Sequence, residues 1–255
     1  VTSRRLMFQQ IGLPRKLADR HRLPFAGQVS RRSPMWMGFT DQQVTGSGPP
    51  AITTFAGSPS ARLTSARAGD YFDNGSIVHL SHLIEDLGAF YAEPLVERAQ
   101  CMFRSNPVPV QVNAPGGDPV FIENNFRGPG DALANASGEG TPGGAHRLGH
   151  LAGLQRSSRA PDTTPLHIRA DGAGLDAMDV PDGSLQPKLQ FAIFVPTADF
   201  FARLRRDQAS LDLVGQFGID PRHAGIERFI TATRRQNFLV PPRRHRAFPL
   251  LELVR

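Results

Sequence analysis

The run Leu189-Gln-Phe-Ala-Ile-Phe-Val195 constrains the chain more than any other segment. Seven residues rich in aromatic and β-branched side chains, closed by Pro196, form a strand too apolar for a solvent-facing edge, so it belongs near the centre of a sheet. The residues C-terminal to it fix its surroundings. Thr197 is an N-cap for a helix whose apolar positions are Phe200, Phe201 and Leu204. Leu211, Val214 and Phe217 keep helical phase, and Gly218 fits a helix stop. Ile226, Phe229 and Ile230 read as a further short helix, and Asn237–Val240 as a strand closed by Pro241-Pro242. Strand, helices and strand joined by short links predict an α+β fold, one antiparallel sheet with helices on one face.

Upstream, residues 76–82 alternate as a strand, with Val78, Leu80 and His82 on one face and Ile77, His79 and Ser81 on the other. Residues 51–55 read as a shorter strand. From Glu85 to Phe103 the pattern is helical, with Leu87, Phe90 and Tyr91 on one face and a restart at Pro94. Residues 106–145 are rich in Gly and Pro and lack periodicity, so they read as a long loop or insertion. Residues 1–35 are basic and irregular, with Pro14, Pro24 and Pro34 as breakers.

The formal net charge is +6, carried almost entirely by arginine, since Lys16 and Lys188 are the only lysines. The arginines fall in scattered pairs with acidic residues between them, which does not make the one-sided basic surface of a nucleic-acid binder. No stretch reaches the ~18–20 apolar residues of a membrane helix. A lone cysteine, Cys101, lies in an apolar helical context and reads as a core residue.

Three patterns bear on chemistry. In Gly38-Phe39-Thr40-Asp41 a glycine permits a tight turn that aims a carboxylate out of it. Among eight histidines, His79/His82 and His146/His150 come nearest to metal-ligand spacing. The first pair faces opposite ways on a strand, and Gly149 interrupts a helix through the second. In His167-Ile168-Arg169 a single histidine precedes a buried strand, and a lone histidine is the usual axial ligand of a haem iron.

The order of these pieces resembles the dye-decolorising peroxidase (DyP-type haem peroxidase) superfamily, in a divergent branch. Gly38-Phe39-Thr40-Asp41-Gln42 is similar to its Gly-x-x-Asp-Gly motif, and Gly75–Val78 with Asp86–Tyr91 to the strand and helix after it. Leu148-Gly149-His150 stands where the superfamily often has Ile/Val-Gly-Arg, and His167-Ile168-Arg169 resembles the segment carrying its haem ligand. Asn237–Pro242 is similar to its Phe-Phe-Val-Pro-Pro. The resemblance covers about residues 33–105 and 145–250. It implies a ferredoxin-like C-terminal half (residues 36–255) that binds haem b, with residues 1–35 the remnant of a missing N-terminal ferredoxin-like domain and the Gly/Pro-rich stretch at about 106–145 an insertion.

The resemblance further implies a peroxidase that reduces hydrogen peroxide while oxidising a bulky or phenolic organic reductant. Asp41 is then the catalytic acid–base, moving a proton from the inner to the outer peroxide oxygen. His167 is the iron ligand with His150 as its alternative, and Arg169 sits in the cofactor-binding segment. Two departures point to a second reading, a degenerate relative that keeps the fold as a binding or structural module. Gln42 replaces the motif's second glycine. The interval Val180–Lys188, where the superfamily carries a distal arginine, holds none, leaving Lys188 as its only cation. Localisation and oligomeric state stay open.

Overall fold

In a computed structural model, the apolar run lies within β4 (Gln186–Val195), an interior strand of a five-stranded antiparallel sheet. The structure describes residues 13–31, 33–39, 69, 71–73, 75–103, 131–139, 141–158, 167–195, 198–242 and 245. On one side β4 pairs with β1 (Ser76–Glu85), with Ile77 opposite Val195 and Ile84 opposite Lys188. On its other side two short strands share one lane: β2 (Ile168–Arg169) along Ile193 and Phe194, and β3 (Gly172–Asp176) along Gln186–Gln190. Outside β1 lies β5 (Ile230–Val240).

Two crossovers connect these lanes. Between β1 and β2 run α2 (Leu87–Ala92), α3 (Leu95–Met102), α4 (Asp131–Ala136) and α5 (His150–Ser158). Between β4 and β5 run α6 (Ala198–Ala209) and α7 (Leu211–Phe217). Each crossover joins strands two lanes apart, with an antiparallel strand between them. That is the split β-α-β arrangement of a ferredoxin-like α+β fold.

Local chemistry explains the element ends. Asp86 caps α2, its Oδ1 accepting from the Ala89 amide at 2.9 Å. Pro94 precedes α3, where its missing N–H costs nothing. Gly218 closes α7 in the left-handed region (φ +58°). Pro14, expected as a breaker, instead opens the helix α1 (Pro14–Arg20), the position at which proline's fixed φ favours a helix. Around 226–230 the expected helix is a single 3-10 turn (Glu227–Phe229), and β5 starts at Ile230, well before Asn237. The expected 106–145 loop contains α4 and the 3-10 turn Pro142–Gly144. The expected strand at 51–55 and the Thr197 cap lie outside the described residues.

Alternation along β1 separates two environments. Ile77 joins Ile193, Val195, Phe200 and Leu204 in a core beneath α6. A larger core gathers Leu17, Trp36, Phe39, Leu87, Phe90, Tyr91, Leu175 and Phe229. Segments on both sides of residue 35 therefore share one core. A third cluster, with Leu148, Ala152 and Leu213, joins α4, α5 and α7. No helix among the described residues is long and apolar enough to cross a membrane.

Candidate functional site

Gly38 has φ +78°, a conformation that L side chains rarely adopt, and a Cβ there would lie 2.6 Å from the Tyr91 hydroxyl. That hydroxyl donates to the Trp36 carbonyl at 2.6 Å, and Trp36 Nε1 donates to the Gly174 carbonyl at 2.8 Å. The turn ahead of Asp41 is thus pinned to both α2 and β3. Phe39 packs edge-on against Phe103, with ring centroids 5.0 Å apart. Asp41 and Gln42 lie outside the described residues.

His150 is positioned by backbone. Leu148 donates to the His223 carbonyl at 2.9 Å and accepts from the Gly225 amide at 2.6 Å, making an isolated parallel bridge. The Gly149 amide donates to Asn135 Oδ1 at 2.7 Å, so a side chain of α4 satisfies an amide at the start of α5. Gly225, at φ +65°, lets its turn pass within 3.7 Å of the His150 Cα, measured from where a Cβ would stand. The Gly149 that weighed against a helix through His146 and His150 does precede one: His150 is its first residue.

His150 is half-buried as a residue. Its Nδ1 is buried and has no hydrogen-bond partner among the described residues. Burial, aided by the positive charge of Arg169, pushes its pKa down to about 3, so the ring is neutral at physiological pH. Arg169, on β2, is partly exposed and lies 3.7 Å from Asp171 Oδ2. Burial raises the Asp171 carboxyl while Arg169 pulls it down. His167, just ahead of β2, is buried and meets the Phe200 ring edge-on with centroids 6.0 Å apart. The chain therefore brings His150 and Arg169 into one electrostatic environment, with His167 against α6.

A second polar centre has no counterpart among the sequence expectations. Lys188 is fully buried and binds Asp176 Oδ1 at 2.6 Å and Asp179 Oδ2 at 3.0 Å. His82, also fully buried, has Nδ1 2.9 Å from Asp179 and Nε2 3.3 Å from Asp176. Arg234 Nε and Thr233 Oγ1 donate to Asp179 at 2.6 and 2.8 Å. Burial and the Lys188 charge lower the His82 pKa, against the pull of the two aspartates. Burial alone would raise the Asp179 carboxyl, but hydrogen bonds from Lys188, Thr233 and Arg234 hold it well below the usual range. Two carboxylates, one ammonium, one guanidinium and a neutral imidazole leave this centre near electrical balance. Lys188 is thereby committed to its aspartates and is not a stand-in for a distal arginine. The one available signal was a lysine at the head of a mostly apolar run.

His79 faces the other way, as alternation requires. Its Nδ1 meets Asn237 Oδ1 at 2.6 Å, its Nε2 meets Ser81 Oγ at 2.5 Å, and its ring stacks on Phe201. Cys101 is buried, with its thiol pushed up by burial, as suits a packed core residue. Among the described residues no three His, Cys, Asp or Glu side chains converge as a metal-ion site.

Fold and half-buried histidine define a ferredoxin-like α+β protein with a candidate ligand site between α5 and β2. A family of unknown function, DUF7405, matches residues 1–242, and the chain belongs to that family. No curated protein matches. Among solved structures, the chain is similar to the encapsulated DyP-type peroxidase from Mycobacterium smegmatis, at 15% identity and TM-score 0.47, over 83% of this chain and 53% of that one. It is similar to a DypB variant from Rhodococcus jostii RHA1 in complex with heme at 12% identity and TM-score 0.48, over 84% and 53%. A dye-decolorizing peroxidase from Bacteroides thetaiotaomicron matches at 17% identity and TM-score 0.44, over 81% and 50%. The chain spans about half the length of each.

Proposed function

We propose that this protein binds haem b through His150 and serves as a peroxidase-like oxidoreductase that consumes hydrogen peroxide and a bulky or phenolic reductant. The observation that carries this reading is the His150 imidazole, buried and neutral, with an Nδ1 that no described residue occupies. An axial ligand must be neutral and must keep a nitrogen free of competing bonds, and its surroundings must exclude water. His150 offers the neutral ring and an unpartnered nitrogen, so its chemistry fits the group. This moves the ligand role from His167, expected from the sequence, to its alternative.

The roles of the other residues rest on their chemistry. Arg169, a partly exposed cation beside the imidazole, suits a propionate carboxylate at the edge of such a site. Asp41, three residues after Gly38 in the sequence, is the proposed acid–base: its carboxylate takes a proton from one peroxide oxygen and returns it to the other, so that water can leave. Haem, when bound, supplies the electrons for cleavage of the O–O bond.

Reconstitution of the full chain with hemin tests the reading. A Soret band is expected, lost in His150→Ala and kept in His167→Ala. The reverse pattern returns the ligand to His167, and absence of the band in the parent protein overturns the haem reading. With haem bound, Asp41→Asn should slow peroxide consumption by about 100-fold or more while the Soret band persists. A haem-bound protein inert to peroxide would instead fit a binding module.

A further inference from the structure

Alternation along β1 sends Ile77, His79 and Ser81 to the face that α6 covers. On β5 the residues opposite them are Leu239, Asn237 and Arg235. α6 begins at Ala198, soon after Val195, which pairs with Ile77, and its Phe201 stacks on the His79 ring. The helix thus advances along β1 from Ile77 towards Ser81. Arg205 stands one turn after Phe201 on the same side of α6, about 5.4 Å further on. From His79 to Ser81 the strand covers a similar distance, about 6.6 Å. Arg205 therefore comes level with Ser81 and with Arg235 beside it.

Arg205 and Arg235 are both exposed, and among the described residues neither has an ion-pair partner. Nearby arginines do: Arg203 is paired with Asp207 and Arg234 with Asp179. Burial and the charge of Arg205 lower the Arg235 pKa, as two like charges held close together require. Burial lowers the His79 pKa as well, against its bond to Asn237, and both arginines add to the fall. Glu227, on the turn ahead of β5, feels Arg205, yet burial keeps its carboxyl raised. His79 engages Asn237 Oδ1 and Ser81 Oγ with its two ring nitrogens. The Asn237 amide nitrogen is left as a donor with no acceptor among the described residues.

We propose that the crevice between α6 and β5 binds a phosphate group, as the free ion or as the monoester of a small molecule, held by the Arg205 and Arg235 guanidiniums with the Asn237 amide as a further donor. Each guanidinium presents a fork of N–H donors that matches the oxygens of a tetrahedral anion. A doubly charged phosphate balances both cations and ends their mutual repulsion, whereas a single carboxylate balances only one. Because Arg203 and Arg234 are already paired, the site suits one anionic group rather than a long polyanion such as a nucleic-acid backbone. Nothing in this site depends on haem.

Titration calorimetry of the full chain with inorganic phosphate and with glycerol phosphate, at matched ionic strength in chloride, tests the proposal. Saturable binding at one site is expected, weakened about 10-fold or more by Arg205→Gln or Arg235→Gln. Arg206→Gln removes the same charge from the neighbouring position of α6 and should change affinity by less than about 2-fold. The tighter of the two probes identifies the ligand as free ion or ester, and either one supports the site. A bound anion also offsets the positive field at His79, so the His79 pKa followed by NMR should rise with phosphate in the parent and stay put in Arg235→Gln. If a glutamine variant fails to fold, the His79 response of the parent to phosphate against chloride decides. Heats no larger than chloride gives, an adventitious ion only, overturn the proposal. So does an Arg206→Gln loss equal to that of Arg205→Gln, or a His79 that phosphate does not move.

Discussion

At the residue scale, Gly38 and Tyr91 behave as one device. The positive φ needs a glycine, and the hydroxyl that fixes the turn occupies the place of the missing Cβ. Gly38→Ala should destabilise the fold by about 2–4 kcal/mol, combining ~1–2 for the left-handed backbone with the loss of a buried hydrogen bond. In a Tyr91→Phe background the clash with the hydroxyl is gone, so the same substitution should cost less. A double-mutant cycle by urea unfolding measures the difference, and simple additivity would refute the coupling. Lys188 is a residue of another kind. Its ammonium is fully buried and tolerated because Asp176 and Asp179 accept its hydrogen bonds.

At the element scale, the start of α5 decides where the His150 ring points. Three supports meet there: the Leu148 bridge, the close-passing Gly225 turn, and the Asn135 side chain on the Gly149 amide. Asn135→Ala removes the last and should cost about 1–2 kcal/mol in thermal unfolding. It should also weaken hemin binding while leaving Asn135→Asp nearly normal, since either side chain offers an acceptor. Equal loss of binding in both would argue against a capping role. Farther along α5, Gly153 permits the close crossing with α6, where a Cβ would collide with the Gln208 carbonyl.

At the scale of the whole molecule, two buried groups tilt stability against pH in opposite senses. Burial raises the Glu85 carboxyl from its ordinary 4.5 to about 8, so the folded state keeps a proton that the unfolded chain has released. Stability from this group is complete below about 4.5 and is lost as pH rises towards 8, by up to ~1.4 kcal/mol per unit. His150, lowered from 6.5 to about 3, contributes the reverse slope, with stability lost as pH falls below 6.5. Between 6.5 and 8 the Glu85 slope stands apart. Unfolding free energies at those two pH values should fall for the parent and stay level for Glu85→Gln. A variant that keeps the parent's slope would show that Glu85 is not its source.

The local pattern of residues was sufficient for the framework. The apolar run in β4, the alternation in β1, the Pro94 restart and the Gly218 stop each act within a few residues, so the order of most elements and the antiparallel α+β class could be read directly. Gly38 as a turn residue and the opposed faces of His79 and His82 were legible for the same reason. Register and enclosure were not. Which strand neighbours which in the sheet depends on pairings such as Ile77 with Val195, residues far apart in the chain. The contacts of Asp179 with Lys188 and His82 form only once β1, β4 and the turn after β3 converge. His150 and His167 looked alike as candidate ligands in one dimension. Only the tertiary structure tells their surroundings apart: burial and the charge of Arg169, on β2, lower the His150 pKa, while His167 packs against Phe200 of α6.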